Sequence, residues 1–211
     1  MCFVYFVVGI GVGLRDRNEN RQGYKKTKVG WIPQEWTSIP IVELTPFLTS
    51  GSRGWAKYYS RTGSLFIRIS NLQKDSINLD LSNRKHVHLS GQTKEGIRTK
   101  LEIGDILISI TADLGLVGYI ESSFENEAFV NQHIALLRIK HPRACNKFIA
   151  YFLVSPYSKE KFFQINDQGA KAGLNLDSIR HLWIALPRFS NSIKYQIFFP
   201  LGTKPLSRHE S

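Results

Sequence analysis

Between Leu101 and Ile139 the apolar and polar positions alternate in a pattern that predicts a sheet. Ile106, Ile108 and Ile110 alternate with Leu107 and Ser109, a period of two that sets three isoleucines on one strand face. Gly104-Asp105 marks a turn before this strand. Thr111 to Gly115 predicts a loop after it, because a polar Asp and a Gly tolerant of positive φ interrupt the apolar run. Leu116 to Ile120 predicts the next strand, and Phe129 to Ile139 a third that carries Asn131, Gln132 and His133 at its head. Amide side chains on so firm a platform suit hydrogen bonding to base edges.

Outside this stretch the elements are shorter. Ile39 to Leu48 is interrupted by Pro40 and Pro46 and predicts a short strand and turn. Ser64 to Leu72 alternates Leu65, Ile67 and Ile69 against Phe66, Arg68 and Ser70, which predicts a strand with Arg68 opposite the isoleucines. One or two helical turns are expected within Gln92 to Lys100. A helical region is expected from Pro142, with Phe148, Tyr151 and Phe152 at i, i+3 and i+4, and Pro156 ends one helix and opens another through Phe163. Asp167 to Leu176 reads as a glycine-bearing loop, followed by a short helix from about Asp177 and a last strand at Trp183 to Leu186, ended by Pro187.

The chain ends differ in character. Phe3 to Leu14 is an apolar run of twelve residues, short of the ~20 that span a bilayer as a helix. Neither a membrane anchor nor a secretory signal is expected, since no Lys or Arg precedes the run and no small-residue cleavage site follows. Gly9, Gly11 and Gly13 resemble a cofactor loop only superficially, because the amphipathic helix that should follow is missing. Arg15 to Lys28 holds six basic and two acidic residues and almost no core formers, so it reads as a linker. Three regions are therefore expected: an N-terminal extension at 1–23 outside the fold, a folded domain at 24–187, and an atypical tail at 188–211 in which Pro200, Gly202 and Pro205 forbid a long helix.

The charge of the 211-residue chain changes what the pattern implies. A net charge of +11 favours a polyanionic partner. No Asp or Glu occurs from Leu44 through Lys74, where Arg53, Lys57, Arg61, Arg68 and Lys74 lie. A second acid-free stretch, Ala128 to Lys159, holds Arg138, Lys140, Arg143 and Lys147. In the loop from Thr49 to Arg61, Gly51 and Gly54 bracket Ser52 and Arg53, while Trp55, Tyr58 and Tyr59 interleave with Lys57 and Arg61. Such a loop brings amides, hydroxyls and guanidinium to phosphates and aromatic rings to sugars or bases. For Trp55 and Tyr58 the core is the equal alternative, and for Asn71 a hydrogen bond to a turn. Cys2 and Cys145 have no neighbours at metal-ligand spacing, and His86 and His88 lack a third ligand, so neither a disulfide framework nor a metal site is indicated. A reducing cytoplasm fits.

These pieces together resemble the specificity subunit of type I restriction-modification systems, in particular one target recognition domain. The resemblance is carried by VGWIPQEW at Val29 to Trp36, SGSRGWAKYYS at Ser50 to Ser60, LFIRISNL at Leu65 to Leu72, GDILISITADLG at Gly104 to Gly115, FVNQHIALLRI at Phe129 to Ile139 and GLNLDSIRHLWIALP at Gly173 to Pro187. It implies an α/β (α+β) domain with a twisted, mostly antiparallel sheet core flanked by short helices, which reads one half of a bipartite DNA target. It also implies that catalysis, S-adenosylmethionine and ATP belong to partner modification and restriction subunits, so that no cofactor, metal or catalytic residue is expected here. The family's second recognition domain and long spacer helix have no counterpart in this sequence, and Asn191 and Ser192 stand where an acidic-amide pair would enter that helix. The tail reads as a truncation or frameshift product, which puts partner docking in question more than DNA binding.

The residues expected to contact double-stranded DNA are Ser52, Arg53, Trp55, Lys57, Tyr58, Arg68, Asn71, Thr111, Asp113, Asn131, Gln132, Lys171 and Asn175. Two other functions compete. A DNA methyltransferase would need an Asp/Asn-Pro-Pro-aromatic loop, which is not present in the sequence, and a nuclease would need clustered carboxylates, whereas none lie between Glu43 and Asp75 and Glu121, Glu125 and Glu127 read as a solvated loop. A nonspecific nucleic-acid-binding adaptor would share the charge without the base readers.

Overall fold

The computed structural model describes residues 19–51, 53–88, 93–167 and 173–188. The order begins with a hairpin, β1 (Tyr24–Thr27) and β2 (Gly30–Pro33), whose tight turn places Gly30 at φ 98° and lets the Thr27 hydroxyl donate to the Gly30 carbonyl at 2.8 Å. β3 (Thr37–Pro40) pairs antiparallel with the last strand, β12 (Trp183–Leu186), so the two ends of the described fold are joined, Ile39 facing Ile184.

Two four-stranded sheets form the centre. The first has the order β4 (Phe47–Ser50), β11 (Ile134–Arg138), β8 (Ile106–Ser109) and β9 (Val117–Tyr119), antiparallel throughout. The second has the order β10 (Ala128–Val130), β6 (Ser64–Ile67), β7 (His86–Val87) and β5 (Tyr59–Ser60), and its β10–β6 pair is parallel. The α+β architecture and the mostly antiparallel core match expectation.

Both faces of the first sheet are buried, which explains why its strands are apolar almost throughout. Ile106, Ile108, Ala135 and Leu137 face a core completed by two helices, α2 (Asn146–Val154) and α3 (Pro156–Asp167). Leu107, Ile134 and Leu136 face the second sheet and meet Leu65, Ile67, Ala128 and Val130. Each fully buried Ile, Leu or Val among these contributes roughly 1.5–3 kcal/mol. A third cluster, Trp55, Phe66, Val87 and Phe129, lies on the outer face of the second sheet.

Short helices fall near their expected places. α1 (Lys94–Thr99) is capped by the Thr93 hydroxyl, which accepts from Gly96 N–H at 3.0 Å. α4 (Leu176–Arg180) is capped by Asn175, one residue ahead of expectation. The helical region begins at Asn146 rather than at Pro142, because Pro142 lies inside a turn closed by Ala144 N–H on the His141 carbonyl at 2.9 Å. No helix among the described residues is long and apolar enough to cross a membrane.

Two predicted strands are shorter than their hydrophobic runs. Phe129 to Ile139 is not one strand but β10 and β11, in different sheets. The break falls at Asn131, whose Oδ1 accepts from His133 N–H at 3.1 Å and turns the chain from one sheet into the next. Ser64 to Leu72 likewise ends as a strand at Ile67 and continues as a 3-10 turn, Ile69–Asn71. There the Asn71 Oδ1 accepts from Arg68 N–H at 2.9 Å, replacing a ladder hydrogen bond with a local one.

Candidate nucleic-acid interface

The two ends of the first sheet differ in chemistry. At one end Asp105, fully buried, takes a paired contact from Arg138, Nε to Oδ1 at 2.7 Å and Nη2 to Oδ2 at 2.8 Å, and accepts the Glu102 N–H at 2.7 Å. Burial pushes the Asp105 carboxyl up, and the Arg138 contact opposes it; the same pairing raises Arg138. Arg138 also meets Glu102 at 2.7 Å, and Lys140 meets Glu102 at 3.1 Å, holding that carboxyl below its usual range. Lys147 pairs with Glu121, which raises the lysine. The second basic patch expected from the acid-free stretch is thereby largely neutralised: acids from distant segments fold onto Arg138, Lys140 and Lys147, leaving exposed Arg143 with no ion pair among the described residues.

At the opposite end four sequence-distant loops are tied together. Gly51 N–H donates to the Asn131 carbonyl at 3.2 Å, and Asn131 N–H to the Ile67 carbonyl at 3.1 Å. Ile110 N–H donates to the His133 carbonyl at 2.9 Å, and Leu174 N–H to the Ile110 carbonyl at 3.0 Å. This joins the end of β4, the corner at 131–133, the loop at 111–115 and the segment at 173–175. The approach is close: a Cβ on Gly51 would stand 2.3 Å from the Asn131 carbonyl carbon.

The predicted contact residues separate into two groups here. Arg53 and Lys57 are exposed and form no ion pair among the described residues, Lys57 lying 4.9 Å over the Tyr58 ring. Asp113 is exposed, and Thr111 and Gln132 are half-buried at the loop end. Thr111 Oγ1 lies 2.8 Å from His133 Nδ1, and Gln132 Nε2 lies 2.9 Å from His133 Nε2.

Other predicted residues are spent on the fold instead. Trp55 is 3% exposed, its ring 4.9 Å from Phe66 and 5.5 Å from Phe129, so it is core and offers no stacking face; half-buried Tyr58 packs edge-on against it. Asn71 is 2% exposed and donates to the Asp80 and Asn83 carbonyls at 2.8 and 3.3 Å, which leaves no amide for a base. Arg68 donates to the Asn83 carbonyl at 3.1 Å, so its guanidinium braces the same loop. Asn131 is 8% exposed and acts as the corner itself. Asn175 is exposed, but its Oδ1 is the α4 cap, accepting Ser178 N–H at 2.7 Å. Ser52 and Lys171 lie outside the described residues.

Outside the set of predicted contact residues stand Tyr59, named only as part of the aromatic-basic loop, and Lys85. Tyr59 is 43% exposed on edge strand β5, and Lys85 sits 4.3 Å over its ring. The aromatic-basic loop signalled Tyr59; nothing local signalled Lys85, which is brought there by the pairing of β5 with β7. No three His, Cys, Asp or Glu side chains converge as a metal site among the described residues.

A family profile described as type I restriction modification DNA specificity domain matches residues 57–202. The chain belongs to that family. Among solved structures this specificity domain is similar to a chain from a study of complex assembly and conformational transition of the type I R-M system, at 17% identity and a TM-score of 0.52, covering 74% of this chain and 35% of that one. It is also similar to the HsdS subunit from Thermoanaerobacter tengcongensis, at 15% identity and a TM-score of 0.52, covering 78% of this chain and 36% of that one. The chain thus spans about a third of the length of either. These likenesses carry the fold. No curated protein matches the sequence.

Proposed function

We propose that this specificity domain binds double-stranded DNA and reads one half of a bipartite target, leaving methylation and cleavage to modification and restriction subunits supplied by other chains. The observation that supports this best is the asymmetry of the first sheet. At one end Arg138, Lys140 and Lys147 are ion-paired, whereas at the other end polar loops from four segments converge where the chain continues from Gly51 to exposed Arg53, and neither Arg53 nor Lys57 further along has an ion pair among the described residues. Lysine and arginine there supply affinity by releasing counterions, and Thr111, Asp113 and Gln132 supply discrimination of about 1 to 3 kcal/mol per good bidentate pair. The exposed carboxylate of Asp113 repels phosphate, so its role is to accept from a cytosine amino group in the groove. Docking of partner subunits and residence in the cytoplasm, where a chain without expected disulfides meets DNA, belong to the same proposal.

Selection of bound duplexes from a random pool, with and without a modification subunit, tests this reading. A short enriched half-site is expected. Salt-sensitive binding with no enrichment would favour the nonspecific adaptor, and turnover of labelled S-adenosylmethionine or cleavage by the chain alone would favour an enzyme.

A further inference from the structure

His133 has both ring nitrogens engaged at the loop end, Nδ1 with Thr111 Oγ1 and Nε2 with Gln132 Nε2. Its backbone is also clamped, N–H on Asn131 Oδ1 at 3.1 Å and carbonyl under Ile110 N–H at 2.9 Å. The ring is therefore fixed in place, and the remaining freedom lies in which nitrogen carries the proton. Among the described residues Gln132 Oε1 has no hydrogen-bond partner and is not a buried atom, so the outer half of that amide faces solvent.

A neutral imidazole has one donor and one acceptor nitrogen. With the Gln132 amide nitrogen donating to Nε2, the proton must sit on Nδ1, which donates to Thr111 Oγ1. Gln132 then presents Oε1 and its second N–H outward, and the Thr111 hydroxyl hydrogen is free to point outward as a donor. Moving the ring proton to Nε2 reverses everything: the Gln132 amide turns over to accept, two N–H donors face outward, and Thr111 donates inward and presents lone pairs. The first pattern, one acceptor beside one donor, fits the adenine N6/N7 edge, and the second, two donors, fits the guanine O6/N7 edge.

We infer that His133 is a positioning residue that couples Gln132 to Thr111 and sets the hydrogen-bond polarity with which the pair reads one base. This rests on the DNA reading proposed above and deepens it.

The test uses the full chain and its His133→Phe variant, which keeps a planar ring and removes both nitrogens, in parallel selections from one random duplex pool. The variant should lose about tenfold or more of the preference at one base pair, as expected for one bidentate contact, with the other positions and the salt slope unchanged. A variant that enriches the same half-site as the parent, with the same preference at every position, overturns the inference and leaves the DNA reading standing. A parent that binds no duplex removes both.

Should the variant fail to fold, ring 15N chemical shifts of the parent protein decide the matter. Adding the selected duplex should drive His133 to a single tautomer, with Nδ1 protonated when the half-site carries adenine at that position. A ring spectrum untouched by the duplex overturns the inference.

Discussion

At Asp105 a single buried carboxylate decides how one end of the protein is built. Its burial opposes ionisation, and Arg138, with two hydrogen bonds, makes the charged form tenable. Removing one member of such a pair costs more than the pair itself contributes, because the other charge is stranded. Arg138→Ala is expected to lower unfolding free energy by about 3–5 kcal/mol, measured by urea denaturation. The pH dependence has a definite sign. Without Arg138 the folded-state carboxyl is pushed further above its unfolded value, so the native state binds the extra proton. The variant should therefore regain stability as pH falls from neutral through the raised folded value, and lose it as pH rises. A variant whose stability instead falls on mild acidification would show that Asp105 has found another cation. Residue chemistry also explains why Asn71 and Trp55 serve the fold rather than a duplex. Both are residue types that commonly meet DNA, but one is consumed by the Asp80 and Asn83 carbonyls and the other by an aromatic cluster.

Elements meet closely where the loops converge, and Gly51 is the point at which that closeness is set by a missing atom. A methyl group there would lie 2.3 Å from the Asn131 backbone, and neither the β4 end nor the 131–133 corner can yield alone, since each is hydrogen-bonded to the other. Gly51→Ala should destabilise the protein by about 1–3 kcal/mol, the cost of overpacking a filled site, read as a lower midpoint of thermal unfolding. Because the shift displaces the corner carrying Gln132, it should also weaken binding to a selected half-site more than to random duplex. Equal weakening on both would separate the corner from sequence reading.

Across the whole molecule the formal charge of +11 is less informative than its distribution. Arg138, Lys140 and Lys147 meet acids drawn from other segments, whereas Arg53, two residues beyond the Gly51 junction, and Lys57 stay exposed with no ion pair among the described residues. Replacing Arg53 or Lys57 by Ala should weaken binding to all duplexes about equally and reduce the slope of log K against log salt by about 0.9 for each phosphate no longer neutralised. An unchanged slope would show that neither side chain meets a phosphate. The same substitution at Lys140 should leave the slope alone, since its ammonium already meets Glu102.

Local pattern sufficed for the alternation of Ile106 and Ile108 in β8 and for the two helices that meet at Pro156, because period and punctuation are properties of neighbouring residues, whereas the α+β class was implied by the family resemblance. It could not show that the run from Phe129 to Ile139 serves two sheets, since strands on either side of Asn131 are equally apolar and differ only in their partners. Nor could it tell a free cation from a paired one. Glu102 and Asp105 reach Arg138 only after β8 and β11 pair, and Gly51 meets Asn131 only through the neighbouring strand. Long-range pairing, which brings such groups within a few ångströms and removes water from between them, determined which charged and amide groups are left to meet a ligand.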